Sequence, residues 1–165
     1  MKPANPQTEL LLRMLDEAFE KRTWHGPNLK GSIRGLTLGQ LLWRPKDNRH
    51  NIWEIVVHAT YWKYAVRRRI TGEQRGSFPL KGSNWIPRRG DGGLPAWRED
   101  VRLLDETHTS LRGIISRLTS QELHVTPPGS TVSNISQIYG VAFHDVYHAG
   151  QIQLLKRLIR QQGIR

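Results

Sequence analysis

Apolar residues in this chain recur at steps of three and four in four separate runs, and no run alternates, which confines the fold to packed helices. The first run is Leu11, Met14, Leu15, Ala18 and Phe19, with Thr8 as candidate N-cap and Gly26-Pro27 as stop. The second, Ile52, Ile55, Val56, Ala59, Trp62, Val66 and Ile70, starts after Asn51 and closes at Gly72. The third begins at Pro95 and carries Val101, Leu104, Leu111, Ile114, Ile115 and Leu118. After the break VTPPGST, Ser133 caps the longest run, which continues through Ile135, Ile138, Val141, Ala142, Ile152, Leu155 and Ile159 to Gly163. Residues 27–36 read as loop, Thr37 to Trp43 as one short connector helix, and residues 72–95, rich in Gly and Pro, as a long loop suited to a lid or a partner surface. The expectation is a single all-α domain over residues 1–165. It is a four-helix bundle with a short extra helix between helices 1 and 2 and a long loop between helices 2 and 3.

The chain contains no cysteine. That removes disulfides, thiolate metal sites and a protein thiol nucleophile, so any metal must sit on His, Asp or Glu. Nothing approaches an apolar membrane span, and the opening MKPANPQTE lacks the apolar core of a signal peptide, so a soluble cytoplasmic protein is expected. The formal charge of +11 raises nucleic acid as a partner. Most of the excess falls within residues 61–90, where Lys63, Arg67, Arg68, Arg69, Arg75, Lys81, Arg88 and Arg89 face the single acid Glu73. Residues 91–110 are net acidic. No base-reading helix motif accompanies the basic segment, so the favoured reading is a solvated helix end and loop.

Chemistry concentrates in the last run, at His144-Asp145-Val146-Tyr147-His148-Ala149-Gly150-Gln151. His144 and His148 are four apart and share one helix face with Val141, Gln151 and Leu155, so they interrupt an apolar stripe. Two inward imidazoles need partners for their ring nitrogens, and a divalent cation supplies one. His58, among Ile55, Ala59 and Trp62 on helix 2, offers a third ligand. His50 stands eight residues earlier, about 12 Å along a helix, in a polar run, and is set aside. His25, His108 and His124 read as bystanders at helix ends or polar flanks. Three neutral imidazoles suit zinc, nickel or iron and leave coordination for a reactant.

HDVYHAGQI at 144–152, NIWEIVVHATYW around His58 and LTLGQLLWRP at 36–45 together resemble the DinB-like, YfiT-type four-helix-bundle superfamily, over nearly the whole chain. The resemblance implies an up-down-down-up bundle, often dimeric, with zinc or nickel held by His58, His144 and His148. It also implies one of the activities known there: thiol S-transfer using a low-molecular-weight thiol, thiol-dependent isomerisation, or metal-dependent hydrolysis of a small molecule. The Arg67-Arg68-Arg69 run is more basic than that family leads one to expect. Around the ion, Gln151 reads as a ring- or substrate-orienting amide and Trp62 as a wall of the substrate pocket, each with a plain packing role as its alternative. Glu54, one turn before His58, could orient that ring or act as a base, or else form an exposed ion pair. Asp145 lies about 100° round the helix from His144 and is not assigned a catalytic role. The competing function is a basic module that binds nucleic acid or another polyanion, with its metal structural or absent.

Overall fold

The computed structural model describes residues 5–164, and all its regular structure is helical. Seven helices follow one another among those residues: α1 (Pro6–Phe19), α2 (Leu29–Ser32), α3 (Leu38–Leu42), α4 (Ile52–Thr71), α5 (Gly93–Ile115), α6 (Ser120–Leu123) and α7 (Asn134–Gln161). The four long ones, α1, α4, α5 and α7, form the bundle; α4 packs against both α5 and α7, and α1 against α7. No described helix is long and apolar enough to cross a membrane.

Chain direction follows from two apolar clusters. One gathers Phe19, Ile52, Val56, Trp97, Leu104, Ile152 and Ile159; the other gathers Leu11, Leu15, Val66, Leu111, Ile115, Ile138 and Ala142. Helices α4 and α5 therefore both run from the first cluster to the second, and α1 and α7 both run the opposite way. That is the up-down-down-up order. Because α4 and α5 are parallel, the chain between them must travel back along the bundle, a distance of about 30 Å for a 20-residue helix. The long segment between Gly72 and Gly92 is that return path. It is anchored on α3 at Gly90, where φ is +94° and an added Cβ would meet Leu42 Cδ1 at 2.5 Å.

Between the two clusters runs a polar layer with one titratable side chain from each long helix, buried on α4, α5 and α7 and half-buried on α1. Lys63 of α4 and Asp145 of α7, both 0% exposed, form an ion pair there. His108 of α5 is buried beside them, stacked on Phe19 at 3.7 Å, and its Nε2 approaches Asp16 of α1 at 3.9 Å. Burial pushes the His108 imidazole far down, helped by the charges of Lys63, Arg112 and Lys30, so it is neutral. His108 is thus no polar-flank bystander but a core residue of mid-α5, and Lys63 is not part of a solvated surface.

Local expectations need three further corrections. Helix α1 is capped by Asn5, whose side chain accepts from Gln7 N, with Pro6 pre-set at the first helical position. Thr8 is buried inside the helix and donates to the Leu118 carbonyl instead. Helix α5 stops at Ile115, and residues 27–36 and 119–124 each contain a single capped helical turn, on Asn28 and Thr119. By contrast Asn51 caps α4 reciprocally with Glu54, and Gly72 ends it in the left-handed conformation.

Candidate metal centre

Antiparallel packing of α4 on α7 brings His58 against the His144–His148 turn. His144 Nε2 stands 3.1 Å from His58 Nε2 and 3.0 Å from His148 Nε2. Ligand atoms of all three rings fall within 4.8 Å of one another. His58 and His148 are 6% and 3% exposed, while His144 is half-buried.

The outer nitrogens reveal what the inner ones can do. His58 Nδ1 lies 3.2 Å from the Asn84 carbonyl, and His148 Nδ1 lies 2.7 Å from Gln151 Oε1. Facing an oxygen acceptor, each Nδ1 carries the hydrogen and donates, which leaves the Nε2 lone pair pointing inward. His144 Nδ1 is buried with no partner. A single ring hydrogen shared among three converging Nε2 atoms satisfies two of them and orphans the third. One cation satisfies all three at once. Burial, reinforced by the neighbouring His148, pushes His58 down to about 4; burial, His148 and His58 push His144 down to about 3; burial also lowers His148. All three are therefore neutral near pH 7, the form that ligates a divalent metal.

The return path between α4 and α5 holds the His58 side of the cluster. Trp85 lies flat between two imidazoles, 3.8 Å from His58 at 7° and 3.6 Å from His50 at 4°. Asn84 adopts a left-handed φ of 58°, a conformation Asn tolerates better than most side-chain-bearing residues. It offers its carbonyl to His58 and its side-chain oxygen to Trp62 Nε1 at 3.0 Å. Neither Asn84 nor Trp85 is assigned from sequence; the sole pointer was an aromatic residue within a long Gly/Pro-rich loop.

Gln151 sits on the outer side of His148, and Trp62 stands 6.4 Å from His58 and 6.2 Å from His144, ring centre to ring centre. Glu54 is placed otherwise than expected. Among the described residues it forms no hydrogen bond with His58: its buried carboxylate takes both Arg44 NH groups at 2.7 Å and the backbone N–H of Arg88 and Asn51 at 3.1 and 3.3 Å, with His50 Nδ1 at 3.4 Å. Burial works to raise its pKa, but Arg44 and the two amides outweigh this and hold the carboxyl below its ordinary range. Glu54 thus clamps the start of α4 to the chain after α3 and to the return path. Its ion pair with Arg44 is buried on the Glu54 side rather than exposed. His50 stays out of the cluster, stacked on Trp85.

The basic segment is also less of a patch than its count implies. Lys63 is spent on Asp145, Arg67 on Glu73 and Arg88 on Asp100. Asp100 additionally accepts from Trp53 Nε1 at 2.6 Å, tying α4, α5 and the return path together.

The sequence pattern that defines the DinB superfamily matches residues 21–152. No curated protein and no solved structure matches the chain significantly.

Proposed function

The chain belongs to the DinB superfamily, and from that premise we propose that it is a divalent-metal enzyme whose ion is held by His58, His144 and His148. The observation that carries this reading is that His144 Nε2 lies within hydrogen-bond distance of the Nε2 atoms of both His58 and His148, two rings whose Nδ1 is already committed to an oxygen. Zinc and nickel fit an all-imidazole set best, with iron next. When bound, such an ion supplies Lewis acidity that makes a water or a small thiol nucleophilic near neutral pH. The reaction is accordingly hydrolysis or thiol S-transfer on a small molecule, and since the chain has no cysteine, any thiol arrives as a cosubstrate.

The protein's own groups orient and enclose. Gln151 and the Asn84 carbonyl fix two ring planes, Trp85 covers one face of His58, and Trp62 forms a wall beside His144. To test the reading, untagged protein loaded with zinc or nickel is offered two panels, carboxylic and phosphate esters in one, a small thiol with an electrophile in the other. Turnover is expected in one panel and is lost in His148→Ala. Metal-replete protein inert in both contradicts an enzyme.

A homodimer fits the outer face of α7, where Tyr139, Phe143, Tyr147 and Leu154 are exposed large apolar side chains. Sedimentation equilibrium is expected to give a dimer for the native chain and a monomer for Phe143→Glu. A monomeric native chain removes the proposal.

A further inference from the structure

Beyond the histidine cluster, the groove between α4 and α7 continues as a cavity of about 180 Å³. His144 closes one end, and Trp62, Val66 and Val141 give it apolar walls. Arg69 and Gln137 line it as well. Trp62, Val66 and Arg69 follow His58 at steps of four, four and three, so one face of α4 runs from the candidate ligand to the guanidinium. Gly140 keeps the α7 wall low: a Cβ added there meets nothing within 4 Å.

Among the described residues Arg69 is the one arginine that lines this cavity; its neighbour Arg68 also lacks a carboxylate but bonds to the Glu73 backbone carbonyl. Arg44, Arg67, Arg88 and Arg112 each hold a carboxylate. Half-buried Arg69 has none among the described residues; its guanidinium lies 5.5 Å over the Trp62 ring and reaches only Gln137 Oε1, at 3.4 Å. Among the described residues no acidic side chain lines the cavity. A positive charge against apolar walls, without a counter-ion, favours an anion in the same space, and the planar guanidinium suits a carboxylate or phosphate.

We propose that this enzyme's substrate is a small amphipathic anion, with its carboxylate or phosphate on Arg69, its apolar body against Trp62, Val66 and Val141, and its reacting end toward His144. The assignment rests on reading the histidine cluster as the reacting end of the cavity. It gives a use to the last residue of the Arg67-Arg68-Arg69 run, whose neighbours bond to Glu73 instead.

Calorimetric titration of the full-length protein with benzoate and with its neutral isostere benzamide tests it, using both zinc-loaded and chelator-treated samples. A charged hydrogen bond of the usual strength makes benzoate bind about tenfold or more tightly than benzamide. That preference is expected to persist without zinc, to vanish in Arg69→Gln and to survive in Arg68→Gln. Equal affinity for the two compounds, no benzoate binding, or a preference retained by Arg69→Gln overturns the assignment. Zinc content measured on the same samples separates the two readings. Protein that binds zinc but does not discriminate loses only the substrate class. Protein that discriminates through Arg69 yet takes up no zinc loses the metal.

Discussion

Replacing Asp145 with Ala is expected to cost the fold about 3–5 kcal/mol, because it strands the Lys63 ammonium inside the bundle. Lys63 and Asp145 are both 0% exposed, and no other carboxylate forms an ion pair with Lys63 among the described residues; its further contact is the Phe19 ring, 5.0 Å away. The pair itself is not a large net gain. Burial pushes the Asp145 carboxyl up to about 6 against the pull of Lys63, and its Oδ1 finds no partner. The double replacement Lys63→Met with Asp145→Leu, which removes both charges and keeps volume, is therefore expected to recover most of the loss. Urea midpoints on chelator-treated protein measure both variants without any contribution from metal. A single variant within about 1 kcal/mol of the native chain, or a double variant as weak as the single, contradicts this picture of the polar layer.

Metal is the second large effect. A ligand at a thousandfold excess over its Kd stabilises the folded state by about 4 kcal/mol, which for a chain of this size raises Tm on the order of 10 °C. Zinc or nickel is expected to raise Tm by that order in the native protein, chelator to reverse it, and His144→Ala or His148→Ala to abolish it. The pH dependence has a definite sign. Burial lowers all three rings, His58 to about 4 and His144 to about 3, so protons compete with the metal at lower pH than they would for ordinary imidazoles. Stabilisation should thus be kept as pH falls from 8 through about 6.5, where unperturbed imidazoles are already half protonated, and be lost only below that.

Much of this was legible in the sequence, and the reasons are physical. Helix α4 is bounded by Asn51 and Gly72 because a side-chain cap and a left-handed residue are local devices that need no tertiary partner. His144 and His148 stand out because they occupy positions on a stripe where Val141 and Leu155 set the expectation. Lys63 and Asp145 do not stand out. A charged residue at helical spacing normally marks the solvent side, and each is buried only because its partner arrives from another helix. Asp145 faces inward, although 100° from His144, because α7 packs against α1 as well as α4 and so buries a wide arc. Asn84 and Trp85 lie in a segment with no period, and their place over His58 follows from the parallel course of α4 and α5, which only the assembled bundle imposes. Helices α2 and α6, four residues each, are too short to show a repeat.

X-ray absorption at the zinc edge, on native protein loaded to one ion per chain, reads the donor set itself. Three imidazole nitrogens at about 2.0–2.1 Å are expected, with one fewer in His144→Ala. A native chain that cannot be loaded, or a spectrum built from oxygen donors and unchanged in His144→Ala, would contradict a three-histidine centre.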